Sequence, residues 1–387
     1  MRDRVDALME TRQAANWTDR EFLAARFDAG LAWVHYPEGS GGLNLSPDLQ
    51  PLVEQLLIEA GAPVAAVTRN YIGLGMAAPT LLRHATTKQR ERWLKPLWTG
   101  EEVWCQLFSE PGAGSDLANV GASARRDGTD WVVNGQKVWT SLAHLSRWAL
   151  LVARTDPQQP KHRGLTYFVC DMEAPGVDVR PLRQATGEAE FNEVFLTDVR
   201  VPDANRLDEV GQGWAVTQTT LMSERVAIGG AVAPREAGVI QPLVKAWRAD
   251  RAVRERGSLD DLMRLWVDAE ALRITSARLS EQVAAGGPGP EGSGVKLAYS
   301  RLAQEAGSML LDLLGPEALR YDNWELRRPD PAETENRVPG FGYVRTRAYS
   351  IEGGTSEIMR TIISERVLKM PAEPGADRNT PWKDLPR

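Results

Sequence analysis

Sulfur and imidazole are scarce in this chain, and their scarcity excludes whole classes of chemistry. Only two cysteines, Cys105 and Cys170, occur in 387 residues, and both sit in apolar, strand-like runs. Two such thiols make no disulfide framework, so a reducing cytoplasm is the expected compartment. The four histidines, His35, His84, His144 and His162, are scattered and share no metal-ligand spacing with the cysteines, so no metal centre is expected. No apolar stretch approaches the roughly 20 residues of a membrane span. No apolar core follows the opening Met1-Arg2-Asp3-Arg4, so neither a membrane segment nor a signal peptide is expected. Long basic runs are missing, and a net charge of −6 argues against nucleic acid as a partner. There is no strand-GxGxxG-helix unit and no repeat of solenoid length.

What is present is enough for two or three domains: 387 residues with 42% hydrophobic content can bury sizeable cores. The first hundred residues read as helical. Thr18-x-x-Glu21 is a capping box followed by Phe22, Leu23, Phe27 and Leu31 at helical spacing. Ser46-Pro47 opens a second helical run that stops at Gly61, and Thr86-x-x-Gln89 opens a third that ends near Gly100. From Val103 the period changes. Short runs rich in Val, Phe, Trp and Leu predict strands over 104–109, 123–126, 131–134, 137–140, 148–154, 166–171 and 193–196. Asp127-Gly128, Asn134-Gly135 and Pro175-Gly176 read as the turns between them. After Pro202 the helical period returns over 213–229, 243–254, 260–284 and 295–314, with Gly- and Pro-rich linkers at 286–294 and 329–342. A last helix starts at Thr355 or Ser356, and the Pro-rich tail from Pro371 is expected to be loose. The expected fold is α+β, mostly α: an N-terminal helical domain (1–102), a middle antiparallel β-sandwich or barrel (103–205) and a C-terminal four-helix bundle (206–387).

The chain is organised around Trp104-Cys105-Gln106-Leu107-Phe108-Ser109-Glu110-Pro111-Gly112-Ala113-Gly114-Ser115-Asp116. An apolar run breaks at Glu110-Pro111 into a glycine-spaced loop carrying a hydroxyl and a carboxylate, and Gly112 and Gly114 let backbone approach a ligand without interference from Cβ. Alone, such a loop reads equally as an ordinary turn. Three further segments accompany it in order: Asn134-Gly135-Gln136-Lys137-Val138-Trp139-Thr140-Ser141, then Glu193-Val194-Phe195 to Val201-Pro202, then Ile351-Glu352-Gly353-Gly354-Thr355-Ser356-Glu357-Ile358. Together, over roughly residues 37–371, they resemble an acyl-CoA dehydrogenase. The resemblance implies FAD held non-covalently between the β domain and the bundle. It places Gln106, Phe108 and Ser109 along the flavin, Trp139, Thr140 and Ser141 against its ring system, and Ser115 near both flavin and the CoA arm. Thr355 and Glu357 would meet the ribityl-adenosine half, with Gly315 at the position of a family motif that is altered here. A planar ring system suits an indole neighbour, and hydroxyls and backbone N–H groups tune its electronics.

The same resemblance implies oxidation of an acyl-CoA to a 2-enoyl-CoA: a carboxylate takes the α-proton and the β-hydrogen passes as hydride to flavin N5. Most members carry that Glu immediately before the final Gly-Thr of the C-terminal segment, where this chain has Gly353. Isovaleryl-CoA and long-chain acyl-CoA dehydrogenases instead carry a Glu before an Arg on a bundle helix, and here Leu221-Met222-Ser223-Glu224-Arg225 stands at that place. Glu224 is the expected base, with Glu352 and the lack of any competent base as alternatives. The backbone N–H of Gly353 would polarise the thioester carbonyl. Leu221, Met222, Arg225, Glu352 and Gly353 would border the acyl-CoA together with Ser115, though Leu221 and Met222 read equally as bundle core. The expected electron acceptor is an electron-transfer flavoprotein. The expected assembly is a homodimer or homotetramer, with a hetro-oligomer as an alternative. An acyl-CoA oxidase and a non-catalytic or half-site subunit are the other functional readings.

Overall fold

The computed structural model describes residues 1–63, 70–229, 234–286, 289–321, 325–328, 338–372 and 379–385, with backbone alone in the helix ends 224–229 and 283–286. The N-terminal helices are α1 (Arg2–Ala15), α2 (Asp19–Asp28), α3 (Gln50–Glu59), α4 (Ala78–His84) and α5 (Thr87–Thr99). Both capping boxes form as read: the Glu21 N–H donates to Thr18 Oγ1 and the Gln89 N–H to Thr86 Oγ1, each at 3.3 Å. Gly100 closes α5 in the left-handed conformation. The Gln89 amide also donates to Ala204 O and Arg206 O, at 2.8 and 2.9 Å, and so ties α5 to the far end of the β domain.

The strands are β1 (Trp104–Leu107), β2 (Ser123–Asp127), β3 (Asp130–Ser141), β4 (Trp148–Arg154), β5 (Leu165–Asp171), β6 (Val177–Pro181), β7 (Phe191–Pro202) and β8 (Arg206–Leu207). They form one sheet in the order β6-β7-β3-β2-β4-β5-β8, with β1 added against β4. Most pairs are antiparallel, but β1 runs parallel to β4, and β2 meets β4 in parallel at Ser123. Residues 131–134 and 137–140 prove to be one strand: Asn134-Gly135 is a bulge and not a turn. A Cβ on Gly135 would lie 2.6 Å from that of Ala122, so the glycine serves a close strand approach. The half-exposed β6 carries too little apolar signal to have been read from sequence.

Every residue of β4 is buried because each of its faces meets a different core. Trp148, Leu150 and Val152 join Trp104, Leu165, Tyr167 and Val169 in a core shared with the N-terminal helices and with Val216 of the bundle. Ala149, Leu151 and Ala153 face the other way, with Cys105, Leu107, Phe168, Cys170 and Val194. Cys105 and Cys170 both pair with Ala149, from its two flanking strands. Both are free, and burial pushes each thiol up to about 12, which makes them inert.

The C-terminal helices are α6 (Gly213–Gly229), α7 (Gln241–Ala249), α8 (Arg251–Arg256), α9 (Leu259–Gly286), α10 (Gly292–Leu314), α11 (Pro339–Ala348) and α12 (Ser356–Ile362). The single helix expected over 243–254 is two, broken at Asp250, whose carboxylate caps Ala252 N–H at 2.8 Å. The linker at 286–294 is shorter than expected because α10 starts at Gly292; its residues 287–288, and 329–337 of the second linker, lie outside the described residues. α6 is pinned to both other domains by one hydroxyl cluster. Thr220 Oγ1 lies 2.9 Å from Thr80 Oγ1 of α4 and 2.8 Å from the Tyr167 hydroxyl of β5.

The tail departs most from expectation. Residues 379–385 dock on the β domain, with Trp382 N–H donating to Gln159 O at 2.9 Å and its indole N–H to Asn119 Oδ1 at 2.7 Å. The Arg154 guanidinium stacks 4.3 Å from that ring. An indole with a guanidinium partner and two polar anchors overrides the proline content on which the sequence reading rested. Among the described residues, no helix is long and apolar enough to cross a membrane.

Candidate active site

The site grows from the end of β1. Gln106 points its Oε1 into a buried space where no described group donates to it. The Phe108 ring lies edge-to-face on Tyr167 at 5.9 Å. Ser109 O accepts the Val138 N–H at 2.9 Å, which sets Ser109 beside the next strand's irregularity. There β3 shifts register between Lys137 and Thr140, and Trp139 takes a φ of 60°. An aromatic residue with positive φ is a true outlier. The bulge throws the Trp139 ring outward, 58% exposed, edge-on to Phe191 at 5.9 Å. Thr140 is buried with its Oγ1 unpartnered, Asn192 beside it has Oδ1 unpartnered, and Ser141 follows half-buried.

A buried ammonium underpins this corner. Lys137, fully enclosed, donates to Phe108 O at 3.0 Å, Val152 O at 2.8 Å and Glu110 Oε1 at 2.8 Å. Glu110 in turn accepts the N–H groups of Gly121 and Ala122 at 2.7 and 2.9 Å. Burial pulls the lysine pKa down and the Glu110 carboxylate opposes that fall. One ion pair thus fixes the exit of β1, the start of the glycine loop and β4. Sequence reading missed it, although a lysine at an inward position of an apolar strand was its signal. The loop beyond carries Ser115 on the surface, and Asp116 is held by Lys161 at 2.8 Å.

The C-terminal segment reaches the same corner through aromatic and charged side chains. The Arg345 guanidinium of α11 lies 5.9 Å from the Phe191 ring and 5.1 Å from Tyr349. It donates to Glu352 Oε1 at 3.0 Å. Tyr349 continues to Tyr299 at 5.5 Å, whose phenol is pushed well up by burial. Glu190, next to Phe191, faces this cluster, and its carboxyl is raised by burial and lowered by Arg345. Tyr299, Lys296 and Gly353 line one cavity of about 160 Å³ between α9, α10 and the turn after α11. A relay of contacts, Trp139 to Phe191 to Arg345 to Glu352, thus links Trp139 to the residue before Gly353. Glu352 spends its carboxylate on Arg345.

The remaining expected residues divide. Thr355 caps α12 by accepting the Ile358 N–H at 3.2 Å, and Glu357 is exposed beside Arg360. Gly315 ends α10 with φ 71°, at the opposite end from Lys296, a separation of roughly 28 Å at helical rise. Within one chain it does not join the Trp139–Gly353 corner. Leu221 packs on the core shared with the N-terminal domain, and Met222 is 39% exposed. Glu224 and Arg225 lie on α6, but their side chains lie outside the described residues. By position, Glu224 continues the α6 stripe of Thr217 and Thr220, both fully buried.

The residues present fit a flavin. An exposed indole offers a flat apolar face, while Gln106 Oε1 and Thr140 Oγ1 are buried polar atoms that a ligand's donors and acceptors would satisfy.

Comparison with known proteins agrees with that fit. Family models described as the acyl-CoA dehydrogenase N-terminal, middle and C-terminal domains match residues 1–101, 105–199 and 211–368. The acyl-CoA dehydrogenase IpdE1 of Mycobacterium tuberculosis is 38% identical over 374 residues, covering 94% of this chain and 89% of IpdE1. The acyl-CoA dehydrogenase FadE34 of the same organism is 40% identical over 350 residues, 89% of this chain. Those residues are 45% of FadE34, so the chain spans less than half of that relative's length. Among solved structures, the ChsE4–ChsE5 complex of M. tuberculosis matches with a TM-score of 0.67 at 29% identity, over 96% of this chain and 95% of that one. The Tcur3481–Tcur3483 steroid ACAD matches with a TM-score of 0.72 at 24% identity, over 92% and 89%, a likeness of fold.

Proposed function

This chain belongs to the acyl-CoA dehydrogenase family, and from that premise we propose that it catalyses FAD-dependent α,β-dehydrogenation of an acyl-CoA thioester to the 2-enoyl-CoA. The observations that carry the proposal are an outward-thrown Trp139, the unsatisfied Thr140 Oγ1 next to it in β3, and the unsatisfied Gln106 Oε1 in β1.

On this reading Gln106, Ser109, Trp139, Thr140 and Ser141 hold the flavin. When bound, FAD supplies the two-electron acceptor for the β-hydrogen. The thioester carbonyl accepts a hydrogen bond from Gly353 N–H, which has no acceptor among the described residues. That bond stabilises negative charge as it develops on the carbonyl oxygen and so acidifies the α-carbon. The Glu224 carboxylate then takes the α-proton; the α C–H electron pair becomes the new C=C bond as the β-hydrogen departs with its own pair. Its spacing along α6, seven residues from Thr217 and four from Thr220, both fully buried, supports Glu224 as the base. The Arg345 pairing of Glu352 counts against the alternative.

Electrons would leave to an electron-transfer flavoprotein. Gly315, too far along α10 to serve the flavin of its own chain, would contribute to a neighbour's, and that supports an assembly of at least two chains. A neighbour that is itself a two-chain complex keeps a hetero-oligomer open as the form of that assembly.

The test is an anaerobic visible spectrum of the purified protein titrated with straight-chain, branched and ring-bearing acyl-CoAs. Bleaching of the oxidised-flavin band by one class establishes the chemistry and the acyl type together. Glu224→Gln should keep the flavin and slow bleaching by about 10²–10⁴-fold. Undiminished bleaching in that variant would refute the base.

A further inference from the structure

The turn that carries Gly353 is closed by the Ser356 N–H donating to Ser350 O at 2.9 Å, but its tip is two glycines. Gly353 and Gly354 are consecutive and both left-handed, with φ of 62° and 94°. The left-handed φ favours glycine at 354, where a Cβ would also stand 2.5 Å from Met359 Cε, the end of a flexible side chain. Two successive glycines also have the widest conformational freedom of any dipeptide. A hydrogen-bond donor on such a tip is steadied by a contact from outside the turn.

The hold comes from α10. Lys296, Ser300 and Gln304 recur every four residues and form one stripe along that helix. They donate in turn to Gly354 O at 2.6 Å, Tyr349 O at 2.7 Å and Thr346 O at 3.2 Å. The lower two rungs reach carbonyls at the end of α11: Tyr349 O, and Thr346 O, which also accepts the Tyr349 N–H at 3.1 Å. The top rung differs in kind: it is charged, it grips the glycine turn itself, and Lys296 shares the cavity wall with Gly353. Charge-assisted hydrogen bonds are shorter and roughly twice as strong as neutral ones.

We infer that Lys296 is a positioning residue for catalysis: by gripping Gly354 O it fixes the Gly353 N–H where the thioester carbonyl is polarised. The inference rests on the placement of the thioester at Gly353 proposed above.

A readout confined to carbonyl polarisation tests it. A 3-(4-dimethylaminophenyl)-2-enoyl-CoA is a donor–acceptor chromophore whose absorption moves to the red when its carbonyl accepts a hydrogen bond. Titrated into the FAD-loaded wild-type protein it should shift red. In Lys296→Met the shift should fall by half or more and the Kd rise by about tenfold, with FAD still bound. Lys296→Arg should restore most of the shift, and Gln304→Ala, two rungs away, should leave it unchanged. A full wild-type shift in Lys296→Met overturns the role of Lys296 while leaving the Gly353 reading intact. No shift in the wild-type protein overturns the Gly353 reading and this inference with it. If Lys296→Met does not fold, Lys296→Gln, which keeps a donor without the charge, decides by the same criterion.

Discussion

Replacing Lys137 by methionine probes the element that joins the glycine loop to the sheet. Methionine fills nearly the same volume, so packing changes little and the loss is electrostatic. Three acceptors lose their donor. Phe108 O and Val152 O are left in a buried space, while Glu110 keeps its bonds from Gly121 and Ala122 and is 12% exposed. Removing one partner of a buried pair costs about 3–5 kcal/mol, and the partly solvated Glu110 argues for the lower end, about 3 kcal/mol. With an unfolding entropy of about 2.1 cal/mol/K per residue, that lowers the Tm by roughly 4 °C if the whole chain melts as one and by roughly 15 °C if the middle domain melts alone. Scanning calorimetry separates the two cases. Glu110→Gln should cost at least as much, because burial then drives the unpaired lysine toward its neutral amine. The double variant should be less destabilised than the sum by more than about 1 kcal/mol. A Lys137→Met protein that melts within about 1 °C of the parent refutes the reasoning.

Three further outcomes follow from named contacts. Asp203 accepts from Arg206 at 2.9 Å and Trp131 at 2.8 Å, and the Arg206 bond leads in holding its carboxyl down to about 2. Its contribution, roughly 2 kcal/mol, is therefore present above about pH 4 and lost as pH falls toward 2. Asp203→Asn should show that loss already at pH 7 in urea unfolding, and equal stability there would contradict it. Trp382→Ala should speed amide exchange around residues 119–122 and 157–164, where the tail docks; unchanged exchange would mean the tail adds nothing to that surface. Gly354→Ala should destabilise by about 1–3 kcal/mol through the left-handed φ and the Met359 contact, and a neutral result in thermal melts would count against the turn geometry.

The parts of the fold legible in the sequence are those set by local physics. Capping boxes at Thr18 and Thr86 end where they begin, within four residues, and the apolar runs of β4 and β5 are buried whatever surrounds them. The misreadings share one cause, a partner distant in sequence. Asn134-Gly135 is a turn by composition and becomes a bulge because β7 supplies a continuous ladder. Trp382 lies in a proline-rich tail and is ordered by Asn119 and Arg154, more than two hundred residues away. At the site, the motif residues Ser109 and Trp139 could be named from their local pattern. Lys137 left a signal, its inward position in an apolar strand, whereas Arg345 and Lys296 left none, since each acts through a carbonyl, ring or carboxylate on another element.

The glycine at 353 makes these long-range residues matter. On the proposed mechanism, a glutamate at that position would be both base and anchor, its side chain fixing the turn against substrate and flavin. Glycine gives up both roles together, and both must be resupplied from the bundle. The base would come from the α6 stripe below Thr220, which the Thr80–Thr220–Tyr167 cluster ties to the other two domains. The anchor would come from the α10 stripe at Lys296. Base and oxyanion donor would then stand on helices held by different contacts, so they can be perturbed separately. Loosening the hydroxyl cluster with Thr80→Val should slow proton abstraction while carbonyl polarisation stays as it is, whereas Lys296→Met should do the reverse first. An enzyme with both functions on one residue could show no such separation.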